Sequence, residues 1–101
     1  MATEVVRSDD EHRYVAQVDG DIAGFLQYRE RPGLIALVHT EVDDRFEGAG
    51  VGSALASFAL DDARSRGLAV LPFCPFVAGY IRRHTDYADL VPEQYRATFG
   101  L

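Results

Sequence analysis

A chain of 101 residues, 48% of them apolar, suffices for one small domain with a hydrophobic core and excludes global disorder. The formal net charge of −6 excludes the basic footprint that nucleic acid needs and disfavours an anionic membrane surface. A phosphate-bearing small ligand stays open, because backbone amides bind anions without cationic side chains.

The N-terminal stretch MATEVVRSDDEHR lacks the apolar centre of a signal peptide, and no apolar run approaches the ~20 residues of a membrane span. A short strand at Glu4–Arg7 is the first expected element. Arg13–Val18 alternates with Tyr14, Ala16 and Val18 on one side, the period of a strand. Asp19-Gly20-Asp21 is a hairpin signal, and Ile22–Arg29 reads as the returning strand. Arg31-Pro32-Gly33 is a further turn, followed by a longer, more buried strand at Leu34–Val42. The period then changes. From Val51, Leu55, Phe58 and Ala59 fall at helical spacing, with Gly67 as the stop. Leu68–Phe73 is a buried strand. Pro75 opens a second helix, along which Phe76, Val77, Tyr80, Ile81, His84 and Ala88 keep helical spacing. Pro92 ends that region, and residues 93–101 read equally as short helix or coil. The order β-β-β-α-β-α predicts an α/β (α+β) single domain spanning 1–101. Its mixed, mostly antiparallel sheet carries one parallel strand, added through a crossover helix.

Glu47-Gly48-Ala49-Gly50-Val51-Gly52-Ser53 joins the buried strand to the first helix, with glycines at alternate positions. Such a turn can present successive N–H groups to an anion at a helix N-terminus, or it can be a tight strand-to-helix joint with glycines for packing; the turn alone leaves both readings open. A Walker loop requires a lysine, and all ten basic residues here are arginine, which fits a GC-rich coding bias. A dinucleotide fingerprint fails too, since Ser53 stands at the third glycine and a meander precedes the turn.

The turn resembles the acyl-CoA pyrophosphate loop of the GNAT superfamily of N-acetyltransferases, whose pattern is Gln/Arg-x-x-Gly-x-Gly/Ala. Gly50 and Gly52 match its two small positions, with Val42 and Phe46 at the usual valine and aromatic upstream. Glu47 departs from the usual Gln or Arg. HTEV (39–42), FCP (73–75) and YIRRHTDY (80–87) are similar to a compact GNAT-like (YjdJ-type) branch of predicted acetyltransferases, with Thr85 where that branch has proline. The resemblance covers nearly the whole chain. It implies a minimal acetyltransferase that binds acetyl-CoA or CoA. Residues Glu47–Ser53 would hold the pyrophosphate, and the strand ending at Thr40–Val42 would hold the pantetheine.

Cys74 is the residue this branch proposes as catalytic. Its place before Pro75 also puts it at a helix N-cap, a setting that favours thiolate. A buried structural cysteine is the competing reading. Tyr80 falls where larger members carry the tyrosine that protonates departing CoA, and a core aromatic is the alternative. His39, near the strand end, suits a general base or a structural role. His84 suits a structural or CoA-contacting role, and Arg82 and Arg83 a solvated face or CoA phosphates. The single cysteine allows no internal disulfide, fits a reducing cytoplasm, and forms no metal set with the histidines. The expected activity is acetyl transfer from acetyl-CoA to a small or protein amine, by a monomer or weak homodimer. The rival is a CoA-binding or interaction module without turnover.

Overall fold

The computed structural model describes residues 2–101. Five strands form one sheet in chain order: β1 (Thr3–Ser8), β2 (Arg13–Val18), β3 (Asp21–Arg31), β4 (Leu34–Val42) and β5 (Ala69–Pro72). The first three pairings are antiparallel, and β4–β5 is parallel. Between them, α1 (Val51–Ser65) crosses back over the sheet, and α2 (Pro75–Arg83) follows β5.

Local chemistry explains most of this. Asp19 and Gly20 both take positive φ, 51° and 86°, as the tight turn joining two right-twisted strands demands. Leu55, Ala56, Ala59, Leu60 and Ala63 form one stripe of α1 and bury fully against the inner sheet face. Tyr14, Leu26, Ile35, Leu37 and Val70 supply that face, and Val77 and Ile81 of α2 close its edge.

β3 extends past the expected Ile22–Arg29 at both ends, taking in Arg31 of the expected turn, and the structure departs from the sequence reading in four further places. The N-terminal strand is longer than Glu4–Arg7 and forms the full sheet edge. β5 is shorter than Leu68–Phe73, because the Leu68 N–H returns to the Ala63 carbonyl (2.9 Å) instead of a neighbouring strand. The second helix stops at Arg83. The His84 N–H bonds the Tyr80 carbonyl (2.9 Å), its backbone leaves helical values (φ −128°, ψ 76°), and Thr85–Leu90 continues as a 3-10 helix. The undecided tail holds a one-turn helix, α3 (Glu93–Arg96), and a 3-10 turn at Ala97–Phe99.

A bulge has the largest consequence for the site. Gln27 pairs with His39 but Tyr28 pairs with Leu37, so Val38 is an extra residue in β4. One extra residue reverses which side chains face the core. Ile35 and Leu37 point inward before it, and Thr40 and Val42 do so after it. His39 and Glu41 are sent to the open face.

The far end of α1 is tied to the sheet by charge. Asp62 accepts from Arg7 Nη1 (2.9 and 3.0 Å), Tyr14 OH (2.8 Å) and Arg66 Nη1 (3.3 Å), and Arg66 also holds Glu30 (2.7 Å). Burial by itself would raise the Asp62 carboxyl, but the hydrogen bonds from Tyr14 and Arg7 outweigh it and hold the group below the usual carboxylate range. Asp62→Asn is therefore expected to cost about 1.5–3 kcal/mol near neutral pH. A depressed folded value means this stabilisation is complete above the unfolded value of about 3.9 and is lost as pH falls through the folded one. Urea unfolding at about pH 6 and about pH 2.5 checks this: the gap between wild type and variant should shrink at the lower pH.

Candidate functional site

Strands β4 and β5 pair only from Leu34↔Ala69 to Leu37↔Pro72. There the Cys74 N–H donates to the Leu37 carbonyl (2.9 Å), and the chain turns into α2 with Pro75 at its first position. β4 continues to Val42 paired with β3 alone. The Asp43 N–H donates to the Ala23 carbonyl of β3 (2.7 Å). By the alternation of an antiparallel ladder, the N–H groups of Thr40 and Val42 point the other way, into the gap that β5 has left. Cys74 borders this gap. It is the N-cap of α2, only 4% exposed, with Sγ 3.3 Å from Thr40 Oγ1.

The loop that follows is built by short-range bonds. Asp43 caps a 3-10 turn at Asp44–Phe46 by accepting from the Arg45 N–H (2.9 Å), and its carboxyl is held below the usual range by hydrogen bonds from that same residue. The Ala49 N–H is used within the loop, on the Phe46 carbonyl (3.1 Å). Gly48 and Gly50 take φ of 80° and 81°, and Gly50 is the N-cap of α1 without a side-chain cap. The first intrahelical bond runs from the Ala54 N–H to the Gly50 carbonyl (3.0 Å), so the N–H groups of Val51, Gly52 and Ser53 have no helical acceptor. They border a groove of about 230 Å³ closed by Val42, Phe46 and Phe76, with Glu47 at its rim. Gly52 has a packing reason as well: a Cβ there would lie 2.8 Å from the Phe76 ring. The groove therefore runs from the end of β4 to the positive end of a helix dipole.

A family model described as GCN5-related N-acetyl-transferase matches residues 13–90, which include the split strands, the glycine loop and Cys74. The chain belongs to the GCN5-related N-acetyltransferase family. A GCN5-like protein of Staphylococcus aureus, solved by NMR, has the same fold: TM-score 0.67 at 23% identity, covering 88% of this chain and 87% of that one. Ard1 of Thermoplasma volcanium matches with TM-score 0.53 at 30% identity over 63% of this chain and 45% of that one. No curated protein matches.

Within this acetyltransferase fold the expected residues divide into groups. Thr40, Val42, the loop and Cys74 come together. Tyr80 lies in the last turn of α2, about 9 Å along the axis from Cys74, and faces a different cleft. It is 8% exposed, with its ring stacked on His84 at 4.1 Å. These two line a separate cleft of about 740 Å³ with Asp61, Arg64 and Tyr87. Arg82 is engaged with the tail, donating to the Phe99 carbonyl (3.2 Å). His39 stands on the open sheet face, its Nε2 3.2 Å from Glu41 Oε1 and its ring 6.1 Å from Phe25. Glu41 and Phe76 were missed as site residues. The spacing of Glu41 from His39 on one strand was a usable signal; nothing in sequence pairs Phe76 with Gly52. Among the described residues no group of three His, Cys, Asp or Glu is placed to hold a metal, and no helix is long and apolar enough to cross a membrane.

Proposed function

We propose that this chain binds acetyl-CoA and transfers its acetyl group to an amine. The observation that carries the reading is the parting of β4 from β5 beside Cys74, continuous with the loop groove. The free N–H groups of Val51, Gly52 and Ser53 receive the pyrophosphate. Thr40 and Val42 offer backbone groups to the pantetheine as a missing strand would. This leaves the thioester beside Cys74.

The sulfur of Cys74 attacks the acetyl carbonyl. The bond from that carbon to the CoA sulfur breaks, and the CoA thiolate takes a proton. A neutral amine then attacks the acetyl-cysteine, releasing the Cys74 thiolate and a proton. In this reading the Thr40 hydroxyl, 3.3 Å from the sulfur, donates to that thiolate, and the amine enters through the gap from the open face, where its proton passes to His39 or water. Tyr80 and His84 take no part at the sulfur; their cleft lies further along the seam between α1 and α2. The cytoplasm is the setting we assign.

Single-turnover measurement tests the reading. Mixing with labelled acetyl-CoA should give acetyl on Cys74, which is discharged on adding amine. Stoichiometric CoA binding with neither acetylation nor hydrolysis would support a non-catalytic module instead.

Position 47 gives a second test. The Glu47 carboxylate stands at the rim of a groove assigned to a pyrophosphate, where the family usually carries a donor. Glu47→Gln is expected to bind CoA about three- to tenfold more tightly at low ionic strength, by removing a like-charge repulsion. The gain should narrow in about 1 M salt, where the Debye length is about 3 Å. Calorimetric titration at both salt concentrations checks it.

A further inference from the structure

On the open side of the same strand end lies a second groove, of about 410 Å³. Its floor is apolar: Ile22, which is 62% exposed, with Phe25; Val42, whose side chain turns to the inner face, borders it. Its rim carries Glu41, Asp43 and Asp44, and no basic side chain lines it. Two arginines lie close by but are engaged. Arg45 is paired with Asp43 (3.1 Å), and Arg13 sits over the Phe25 ring at 4.6 Å and bonds Glu11 (3.2 Å). Glu41 has only the His39 contact at 3.2 Å. No ion pair engages Asp44 among the described residues.

We propose that this groove receives the acetyl acceptor and that the acceptor is an aliphatic diamine or polyamine, an inference that rests on the acetyltransferase reading above. Two of the rim carboxylates, Glu41 and Asp44, have no arginine partner among the described residues and call for positive charge. The exposed apolar floor calls for methylene groups beside that charge. The acetyl-accepting end is near, since Val42 at the groove is two residues, about 7 Å, from Thr40 beside Cys74. One ammonium group rests between Glu41 and Asp44. The methylene chain lies on Ile22 and Phe25. The other nitrogen, after losing a proton to His39 or water, attacks the acetyl thioester. The C–N bond forms, the C–S bond breaks, and the sulfur leaves as thiolate. A monoamine of equal length makes the same apolar contact but brings no ammonium group to Glu41 and Asp44.

The test compares butane-1,4-diamine with butylamine at low ionic strength. The diamine is expected to show at least about tenfold higher kcat/KM, from exposed ion pairs worth a few-fold each. In the double variant Glu41→Gln, Asp44→Asn that ratio should fall close to one; taking the ratio cancels any effect of Glu41 on His39. Asp10→Asn, which removes one negative charge at the turn between β1 and β2, should leave the ratio unaltered. A diamine no better than butylamine, or an advantage that survives the double substitution, would overturn the assignment. A binding arm needs no turnover. Without acetyl-CoA, butane-1,4-diamine should shift the amide resonances of Ile22, Phe25 and Glu41–Asp44 in wild type and not in the double variant. Absence of those shifts overturns the acceptor site even if CoA binds. Failure to bind CoA with those shifts present refutes the transferase reading and leaves the cation groove standing.

Discussion

Cys74→Ser is expected to lower acetyl transfer by at least about a hundredfold while CoA affinity stays within about threefold. The substitution keeps a small polar side chain beside Thr40 Oγ1, which lies 3.3 Å from the sulfur, so the N-cap of α2 and the contact to β4 survive. What it removes is the polarisable sulfur proposed to attack the thioester; among the described residues the only side chain hydrogen-bonded to this position is Thr40. The backbone groups assigned to the cofactor are untouched, and so is binding. A loss below about tenfold would mean that the amine attacks acetyl-CoA directly and that Cys74 is only the wall of the pocket. Alkylation gives a parallel readout: saturating CoA should protect Cys74, because the proposed pantetheine end lies against this 4% exposed residue.

Gly50→Val is expected to be nearly as damaging, for two reasons that a second variant separates. Gly50 has φ of 81°, and a Cβ there would meet no atom within 4 Å. Left-handed backbone costs an L-residue about 1–2 kcal/mol, and a β-branched side chain is the worst fit. That part should appear as lowered stability without ligand. Gly50 lines the groove, so a side chain there is expected to crowd the proposed approach of the pyrophosphate. That part should appear as at least a tenfold loss of CoA affinity, about 1.4 kcal/mol. Asparagine tolerates the left-handed region. Gly50→Asn should therefore keep most of the stability and still lose the affinity, as measured by thermal unfolding and calorimetric titration. Full affinity in Gly50→Asn would reduce the glycine to a backbone requirement and remove the phosphate assignment.

The strand and helix frame was legible because it rests on local chemistry. Alternation in Arg13–Val18, the Asp19-Gly20 turn, the change of period at Val51 and the proline at position 75 each act over a few residues. The glycine loop was legible for the same reason. The placement of residues around the gap was not. Val38 is an extra residue only relative to Gln27 and Tyr28 of β3. A run as apolar as LIALV carries no mark of it, yet this bulge decides that Thr40 faces Cys74 while His39 faces the opposite side. Similarly, His84 and Ala88 keep helical spacing after Tyr80. The helix ends before them because Arg64 draws the following segment onto α1, donating to the Asp86 carbonyl (2.8 Å) and pairing with Asp89 (2.9 Å). Tyr80 accordingly lines a cleft with Asp61, Arg64 and Tyr87, whereas Cys74, six residues earlier, meets Thr40.

The central claim is that acetyl-CoA lies along the parted edge of β4 and over the start of α1. A CoA titration followed by amide resonances of the isotope-labelled protein tests it most directly. The account predicts saturable shifts at Thr40, Val42, Val51, Gly52, Ser53 and Cys74, strongly weakened in Gly50→Val. Saturable shifts confined to the Tyr80–His84 cleft, or none at all in a folded protein, would contradict it.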